Sequence, residues 1–358
     1  MTQDAHERFV GTRPVAPQHA FDVDRLAAFM HEHVEGFSGE LQVEQFKGGQ
    51  SNPTFLLSAG GKQYVMRRKP PGTLLPSAHA VDREYRVITA LAKTDVPVAR
   101  TYALCEDESV IGTMFYIMDY VQGRILWDPS LPGMRPEERR AIFNEMNRVI
   151  AALHSVDYKA VGLETYGKPG SYLERQVARW TKQYRASETE RIEAVENLIE
   201  WLPKNIPADD ETRIVHGDFR IDNVIFHPTE PRILAVLDWE LSTLGHPMSD
   251  FAYHCMTWRM QPEASRGLAG LPLGELGIPT EDEYLAMYLK RTGRSGVDKR
   301  TWEYYMVFNM FRLVGILQGI AKRVLLGNAA SAEAEKTARR TRPLAEQAWK
   351  LVEQMQSR

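Results

Sequence analysis

The order of its elements predicts an α+β protein of two lobes, a small β-rich N-terminal part and a larger, mainly helical C-terminal part. Three observations carry this prediction. Strand-like runs crowd the stretch up to residue 121, a long helical pattern opens at Pro136, and helices dominate again from about residue 249 to the end. The expected division falls at Gly123, after the apolar strand "MFYIMDYV", giving lobes 1–123 and 124–358.

Taken in order, residues 1–20 mix Pro and polar residues without periodicity and read as a loose arm. Runs 41–47, 53–59 and 62–68 read as strands, with Gly60-Gly61 between the last two as a hairpin signal. A helix is expected over 79–93, where Val81, Tyr85, Ile88 and Ala92 recur at helical spacing. Strand-like runs return at 96–104 and 110–121. Pro136 then sits in the first turn of "RPEERRAIFNEMNRVIAALHSV", a favoured place for proline at a helix start. Helices follow at 171–186 and 188–202, and a later one begins at Thr280, whose Glu283 completes a capping box. The most apolar long stretch, 304–326, is interrupted by Asn309, Arg312, Gln318, Lys322 and Arg323, so it reads as a buried helix and not a membrane span.

Composition narrows the function by exclusion. A net charge of −3 in 358 residues gives no global reason to expect nucleic acid or a membrane surface as partner. Two cysteines, Cys105 and Cys255, make no disulfide framework and fit a reducing, cytoplasmic compartment. The N-terminus lacks the charged-then-apolar pattern of a signal peptide. "HEH" at 31–33 lacks the i, i+4 histidine pair of a metalloprotease helix, and there is neither a Walker A motif nor a dinucleotide fingerprint.

The chemistry gathers in "VHGDFRIDNVIF" (215–226), which places His216, Asp218, Asp222 and Asn223 on a loop between short apolar runs. Two strand-like pieces follow, 224–227 and 233–237, joined by a Pro-containing turn. If they pair antiparallel, Asn223 and Asp238 lie together at the open end of the hairpin. An Asn carbonyl and an Asp carboxylate are hard oxygen ligands suited to Mg²⁺. Asp218, five residues before Asn223, stands near the metal without binding it and is placed to accept or orient the proton of an attacking hydroxyl.

This spacing is similar to the protein-kinase catalytic loop, His-x-Asp-x-x-x-x-Asn followed by a metal-binding Asp on the next strand. In that comparison "FKGGQSNPTF" (46–55) resembles a nucleotide-covering loop, with Gly49, Ser51 and Asn52 the candidate phosphate contacts, although Gly48-Gly49 also suits a plain hairpin turn. Arg67 in "YVMRRKP" takes the place of the strand lysine that grips the α- and β-phosphates; Lys69 is its rival. Glu84 shares the inward face of the following helix and is placed to pair with Arg67. "FYIMDYVQG" resembles the hinge, where the backbone of Met118, Asp119 and Tyr120 would meet adenine. The whole resembles the aminoglycoside phosphotransferase/choline kinase superfamily, small-molecule kinases with a two-lobed protein-kinase-like fold. The resemblance covers roughly residues 25–350. "DWELSTLGHPMSDFAY" resembles the segment that ends in a structural Asp, here Asp250, expected to brace the catalytic loop through its backbone.

Trp239-Glu240 follows Asp238 where protein kinases have Phe-Gly, and there is no Ala-Pro-Glu. "VMRRKPPG" and "LDWELSTLG" resemble the branch that includes the kinase-like domain fused to acyl-CoA dehydrogenases. The resemblance implies ATP and Mg²⁺ as cofactors and a small-molecule hydroxyl as acceptor, with a nucleotide-binding N-terminal lobe and an acceptor site in the C-terminal one. From residue 251 onward 16 Lys+Arg stand against 11 Asp+Glu. That balance favours a neutral or anionic acceptor, such as a hydroxyacyl-CoA, over a polycationic aminoglycoside. An aminoglycoside kinase and a non-catalytic nucleotide-binding module are the competing readings. Oligomeric state has no signature in the sequence.

Overall fold

Gly60 and Gly61, at φ +56 and +76, turn the chain tightly between two long strands in the computed structural model, which describes residues 11–47, 52–70, 80–262, 267–327 and 332–357. The strands so joined are β3 (Thr54–Ala59) and β4 (Lys62–Arg68). Around them lie β1 (Thr12–Arg13), β2 (Gln42–Phe46), β5 (Thr101–Cys105) and β6 (Phe115–Asp119), in an antiparallel sheet of order β1-β2-β3-β4-β6-β5. One face is apolar: Phe55, Leu57, Met66, Phe115 and Ile117 pack with Leu26 and Met30 of helix α1 (Val23–His33). The loose arm expected over 1–20 gives way from residue 11. Thr12–Arg13 pair with Gln45 and Phe46, and Pro17–His19 form a 3-10 turn. The reason lies in Arg68, a residue the strand pattern did not single out. It is buried beneath Phe21 and Phe55 and donates to the His19 carbonyl at 3.0 Å, which ties the segment down.

The chain divides into two compact units, neither continuous in sequence. Unit 1 comprises Met1–Asp128, Asp157–Tyr166 and Arg220–Ser242; unit 2 comprises Pro129–Val156, Gly167–Phe219 and Thr243–Arg358. The single boundary expected at Gly123 is therefore replaced by exchanged segments. Within unit 1, helix α2 (Val81–Leu91) covers β5 and β6, and a hairpin of β7 (Val224–Phe226) and β8 (Ile233–Val236) joins the same body. Two contacts explain why the hairpin belongs there. The Val236 N–H donates to the Pro97 carbonyl at 2.9 Å, and Arg124 and Phe226 exchange backbone hydrogen bonds, each 2.9 Å. A Cβ on Gly123 would stand 2.3 Å from the Phe226 carbonyl oxygen, so only glycine lets the chain approach so closely.

Among its described residues unit 2 is mainly helical, with one antiparallel pair, Arg213–Val215 with Thr243–Gly245. Its main helices are α3 (Pro136–Ser155), α4 (Tyr172–Ser187), α5 (Glu193–Trp201), α6 (Pro247–Cys255), α7 (Glu281–Thr292), α8 (Lys299–Leu325) and α9 (Thr341–Gln356). The capping box of α7 forms as its sequence predicts: Glu283 N–H donates to Thr280 Oγ1 at 3.2 Å, and Thr280 N–H to Glu283 Oε2 at 2.8 Å. Helix α8 buries Trp302, Tyr304, Tyr305, Phe308 and Phe311 in the core, as expected for that stretch. Among the described residues no helix is long and apolar enough to cross a membrane.

Candidate active site

In unit 1 the residues expected to handle the nucleotide meet around one buried carboxylate. Strand pairing sets Arg67 opposite Tyr116 of β6, and α2 brings Glu84 against them on its buried face. Arg67 Nε lies 3.1 Å from Glu84 Oε2, with the Glu84 side chain 2% exposed. Tyr116 donates to Glu84 Oε2 at 3.2 Å and Asn52 Nδ2 to Oε1 at 2.8 Å. Burial pushes the Glu84 carboxyl above its ordinary range, opposed by Arg67 and by the Tyr116 and Asn52 hydrogen bonds. The Arg67 guanidinium is held above its ordinary value: burial works against it, and Glu84, Tyr116 and Asp238 outweigh that. Lys69, its rival, forms no ion pair among the described residues. Asn52 is fully buried and anchors the end of its loop, whereas Gly49 and Ser51 lie outside the described residues.

The metal candidates fall where the hairpin argument puts them. Val224 pairs with Val236, and one step outward the Leu237 N–H donates to the Asn223 carbonyl at 2.8 Å. Asn223 and Asp238 therefore flank the open end. Asp238 holds a left-handed backbone, φ +63 and ψ +61, and its carboxylate stands 3.7 Å from an Arg67 nitrogen. A non-glycine residue in that conformation is strained, a state that persists where surrounding structure enforces it and that clusters at functional sites. An amide oxygen and a carboxylate suit Mg²⁺, which takes one or two protein carboxylates and completes its shell with phosphates and water.

Of the residues expected at the hinge, Met118 and Asp119 lie on β6, with Tyr120 just beyond. The Asp119 N–H donates to the Arg100 carbonyl at 2.8 Å and the Tyr120 N–H to the Gln63 carbonyl at 3.4 Å. Both donors are thus used within unit 1. The Asp119 carboxylate is also engaged, accepting from the Tyr102 hydroxyl at 2.5 Å.

In unit 2, Asp250 braces the catalytic loop as its sequence position predicts. It accepts from the His216 N–H at 2.8 Å and the Gly217 N–H at 2.9 Å, and from His154 Nε2 at 3.1 Å. Burial alone would raise the Asp250 carboxyl; the His154 hydrogen bond and the His216 contacts reverse this and hold it below its ordinary range. Gly217, at φ +84, lets the loop present both N–H groups to one carboxylate. Asp218 follows. Its N–H donates to His216 Nδ1 at 3.1 Å, and its Oδ1 accepts from the Tyr253 hydroxyl at 2.5 Å. His154, Tyr253 and Arg312 are supports that sequence reasoning missed. His154 sits on a helix that reads as plain amphipathic, Tyr253 closes the quoted segment 238–253 without an assigned role, and Arg312, which donates to the Gly217 carbonyl at 2.6 Å, lies in the apolar run 304–326. A cavity of about 490 Å³ on α4 and α5, lined by Val177, Ala178, Ile199 and Pro203 among others, includes none of the predicted site residues.

Beneath the loop, His254 Nδ1 faces the Phe219 carbonyl at 3.2 Å and Nε2 the Tyr284 hydroxyl at 2.9 Å. Burial pushes this imidazole down to about 4. An unfolded histidine titrates near 6.5, so between about pH 6.5 and 4 the unfolded chain takes up a proton that the folded chain refuses. The stability contribution is complete above pH 6.5 and is lost as pH falls toward 4, by up to about 3 kcal/mol. Urea unfolding at pH 7 and pH 4.5 measures it. A smaller fall is expected in His254→Gln than in the unaltered chain; an equal fall refutes the assignment.

The carboxylate-bound arginine and the nearby Asp238 lie in the unit that carries the antiparallel sheet, and the braced loop aspartate lies in the helical unit. The chain belongs to the phosphotransferase enzyme family, whose model matches residues 42–296. The crystal structure of a Ralstonia eutropha JMP134 protein, provisionally classed as an aminoglycoside phosphotransferase, shares 60% identity. It has a TM-score of 0.88, over 94% of this chain and 99% of that one. A thermostable mutant of an aminoglycoside phosphotransferase, in ternary complex with ADP and hygromycin B, shares the fold at 15% identity. Its TM-score is 0.59, over 90% of this chain and 97% of that one. Acyl-CoA dehydrogenase family member 10 of Mus musculus is 48% identical over 341 residues, 94% of this chain and 32% of that protein. The chain spans less than half the length of the curated relatives it matches. The expected α+β, kinase-like architecture is borne out.

Proposed function

We propose that the chain transfers the γ-phosphoryl group of ATP to a hydroxyl of a small molecule. The ion pair of Arg67 with Glu84, with Asp238 3.7 Å from the same guanidinium, supports this reading most. It is a cation locked in place beside an oxygen ligand, which suits an α/β-phosphate next to a metal. Asn223 and Asp238 would hold Mg²⁺, which would supply charge neutralisation on the phosphates. Arg67, fixed by Glu84, steadies the same oxygens. Asp218 accepts or orients the proton of the acceptor hydroxyl as it attacks phosphorus, and Asp250 keeps that loop in register. Positioning and charge stabilisation then supply most of the rate.

The acceptor we propose is neutral or anionic, with a hydroxyacyl-CoA as the leading class. The basic balance of residues 251–358 supports it, as does the name of the mouse relative, an acyl-CoA dehydrogenase family member. An aminoglycoside acceptor is the second reading, favoured by the class given to the Ralstonia protein. Hydroxyacyl-CoAs, simple hydroxy acids, sugars, choline-like alcohols and aminoglycosides are to be incubated with Mg-ATP and the enzyme, and ADP release measured. Turnover is expected with a hydroxyacyl-CoA. Turnover confined to aminoglycosides overturns the acceptor class. Tight ATP binding without transfer to any of them points to a non-catalytic nucleotide-binding module.

A further inference from the structure

Asp218 is not held by its own loop alone. Helix α6 supplies Tyr253, whose hydroxyl donates to Asp218 Oδ1 at 2.5 Å. Helix α8 supplies Arg312, 7% exposed, whose guanidinium donates to the carbonyl of Gly217 at 2.6 Å. The same guanidinium lies over the Tyr253 ring, 4.8 Å from its centroid, and over the Trp180 ring at 5.6 Å. No carboxylate pairs with Arg312 among the described residues, although a buried arginine ordinarily has such a partner. Its charge is instead spent on one carbonyl and two ring faces. The carbonyl belongs to the residue before Asp218, and one of the rings carries the hydroxyl that grips Asp218.

We infer that Tyr253 and Arg312 form a positioning pair for Asp218: Arg312 fixes the loop and the Tyr253 ring, and Tyr253 fixes the carboxylate. The phenol's hydrogen bond occupies one oxygen of the carboxylate. The rotamer that presents the group to an acceptor hydroxyl is then set before substrate arrives. Neither residue touches the reacting atoms; both act through Asp218. The inference rests on Asp218 serving as the proton acceptor or orienter, so that assignment is tested in the same experiment.

ADP formation from Mg-ATP is followed in single turnover, with 3-hydroxybutyryl-CoA as acceptor where it supports transfer and water otherwise. The chains compared are wild type, Tyr253→Phe, Arg312→Lys, Asp218→Asn and the double variant Tyr253→Phe/Asp218→Asn. Tyr253→Phe keeps the ring under Arg312 and removes only the hydroxyl. It is expected to lower the transfer rate about tenfold, the order of one hydrogen bond to a charged group, with KM for ATP within about twofold of wild type. In the Asp218→Asn background the same substitution is expected to cost nothing further, because the charged group that Tyr253 positions is already gone. Arg312→Lys keeps the charge, loses the planar face and is expected to lower the rate with the same unchanged KM. An undiminished rate in Tyr253→Phe overturns the inference. So does a full tenfold loss on top of Asp218→Asn, or a rise in KM for ATP that accounts for the loss, since a merely structural role produces those patterns. An undiminished rate in Asp218→Asn sinks the assignment of Asp218 itself, and the pair with it; a slow Asp218→Asn beside a wild-type Tyr253→Phe sinks the pair alone.

Discussion

Replacing Asp218 by Asn lowers phosphoryl transfer by about 10²–10⁴-fold, the range of general acid–base groups, and leaves the fold and ATP affinity intact. The substitution preserves size, and the asparagine carbonyl still accepts from Tyr253, so the loop keeps its braces on Asp250. What disappears is the negative charge that orients the hydroxyl proton. Steady-state transfer to whichever alcohol proves competent measures the loss, and nucleotide titration checks that binding survives. Wild-type transfer in this variant refutes the role.

Replacing Asp238 by Ala removes Mg-dependent nucleotide turnover, by at least about 10²-fold given that metal stabilisation of transferring charge is worth several kcal/mol. Two effects combine here. The variant lacks a metal-type oxygen, and it puts alanine into a left-handed backbone at φ +63, which costs roughly a further 1–2 kcal/mol. Asp238→Asn separates them. Asparagine tolerates that conformation and keeps an oxygen, so its stability stays near wild type while metal affinity falls with the lost charge. Titrations of Mg²⁺ at fixed ATP distinguish the variants. An Asp238→Ala protein with the metal dependence of wild type contradicts the proposed ligand role.

Most of this site was legible because its parts are short-range. Asn223 and Asp238 could be paired from the turn between two strands, and the observed hairpin places them at its open end. Glu84 was found from helical spacing and Arg67 from its place in the kinase-like pattern, and the two meet at 3.1 Å. Asp250 was found through the motif it closes. The unread parts depend on distance along the chain. His154 reaches Asp250 across 96 residues and Arg312 reaches Gly217 across 95, and no local period announces such contacts. Arg68 escaped notice for a different reason. Alternation points it away from Arg67, to the face where Phe21 of the N-terminal segment and Phe55 of β3 cover it. The hinge shows a third limit: strand pairing decides which N–H groups are taken, and a sequence run does not reveal its neighbours.

The interleaving of the two units bears on how the chain is made. Unit 1 begins with Met1–Asp128 and is completed by Arg220–Ser242, which carries both metal-type residues. A ribosome adding roughly 5–20 residues per second therefore needs on the order of ten seconds, after finishing the sheet, to deliver the hairpin that belongs beside it. During that interval Gly123 and the Pro97 carbonyl lack the hairpin groups they later meet, Phe226 and Val236. A nascent chain arrested before residue 220 has its sheet strands and the Arg67–Glu84 pair but no place for the metal. Mg-dependent nucleotide binding should thus switch on late in synthesis, between release of residue 220 and release of residue 242, and not with the folding of the sheet.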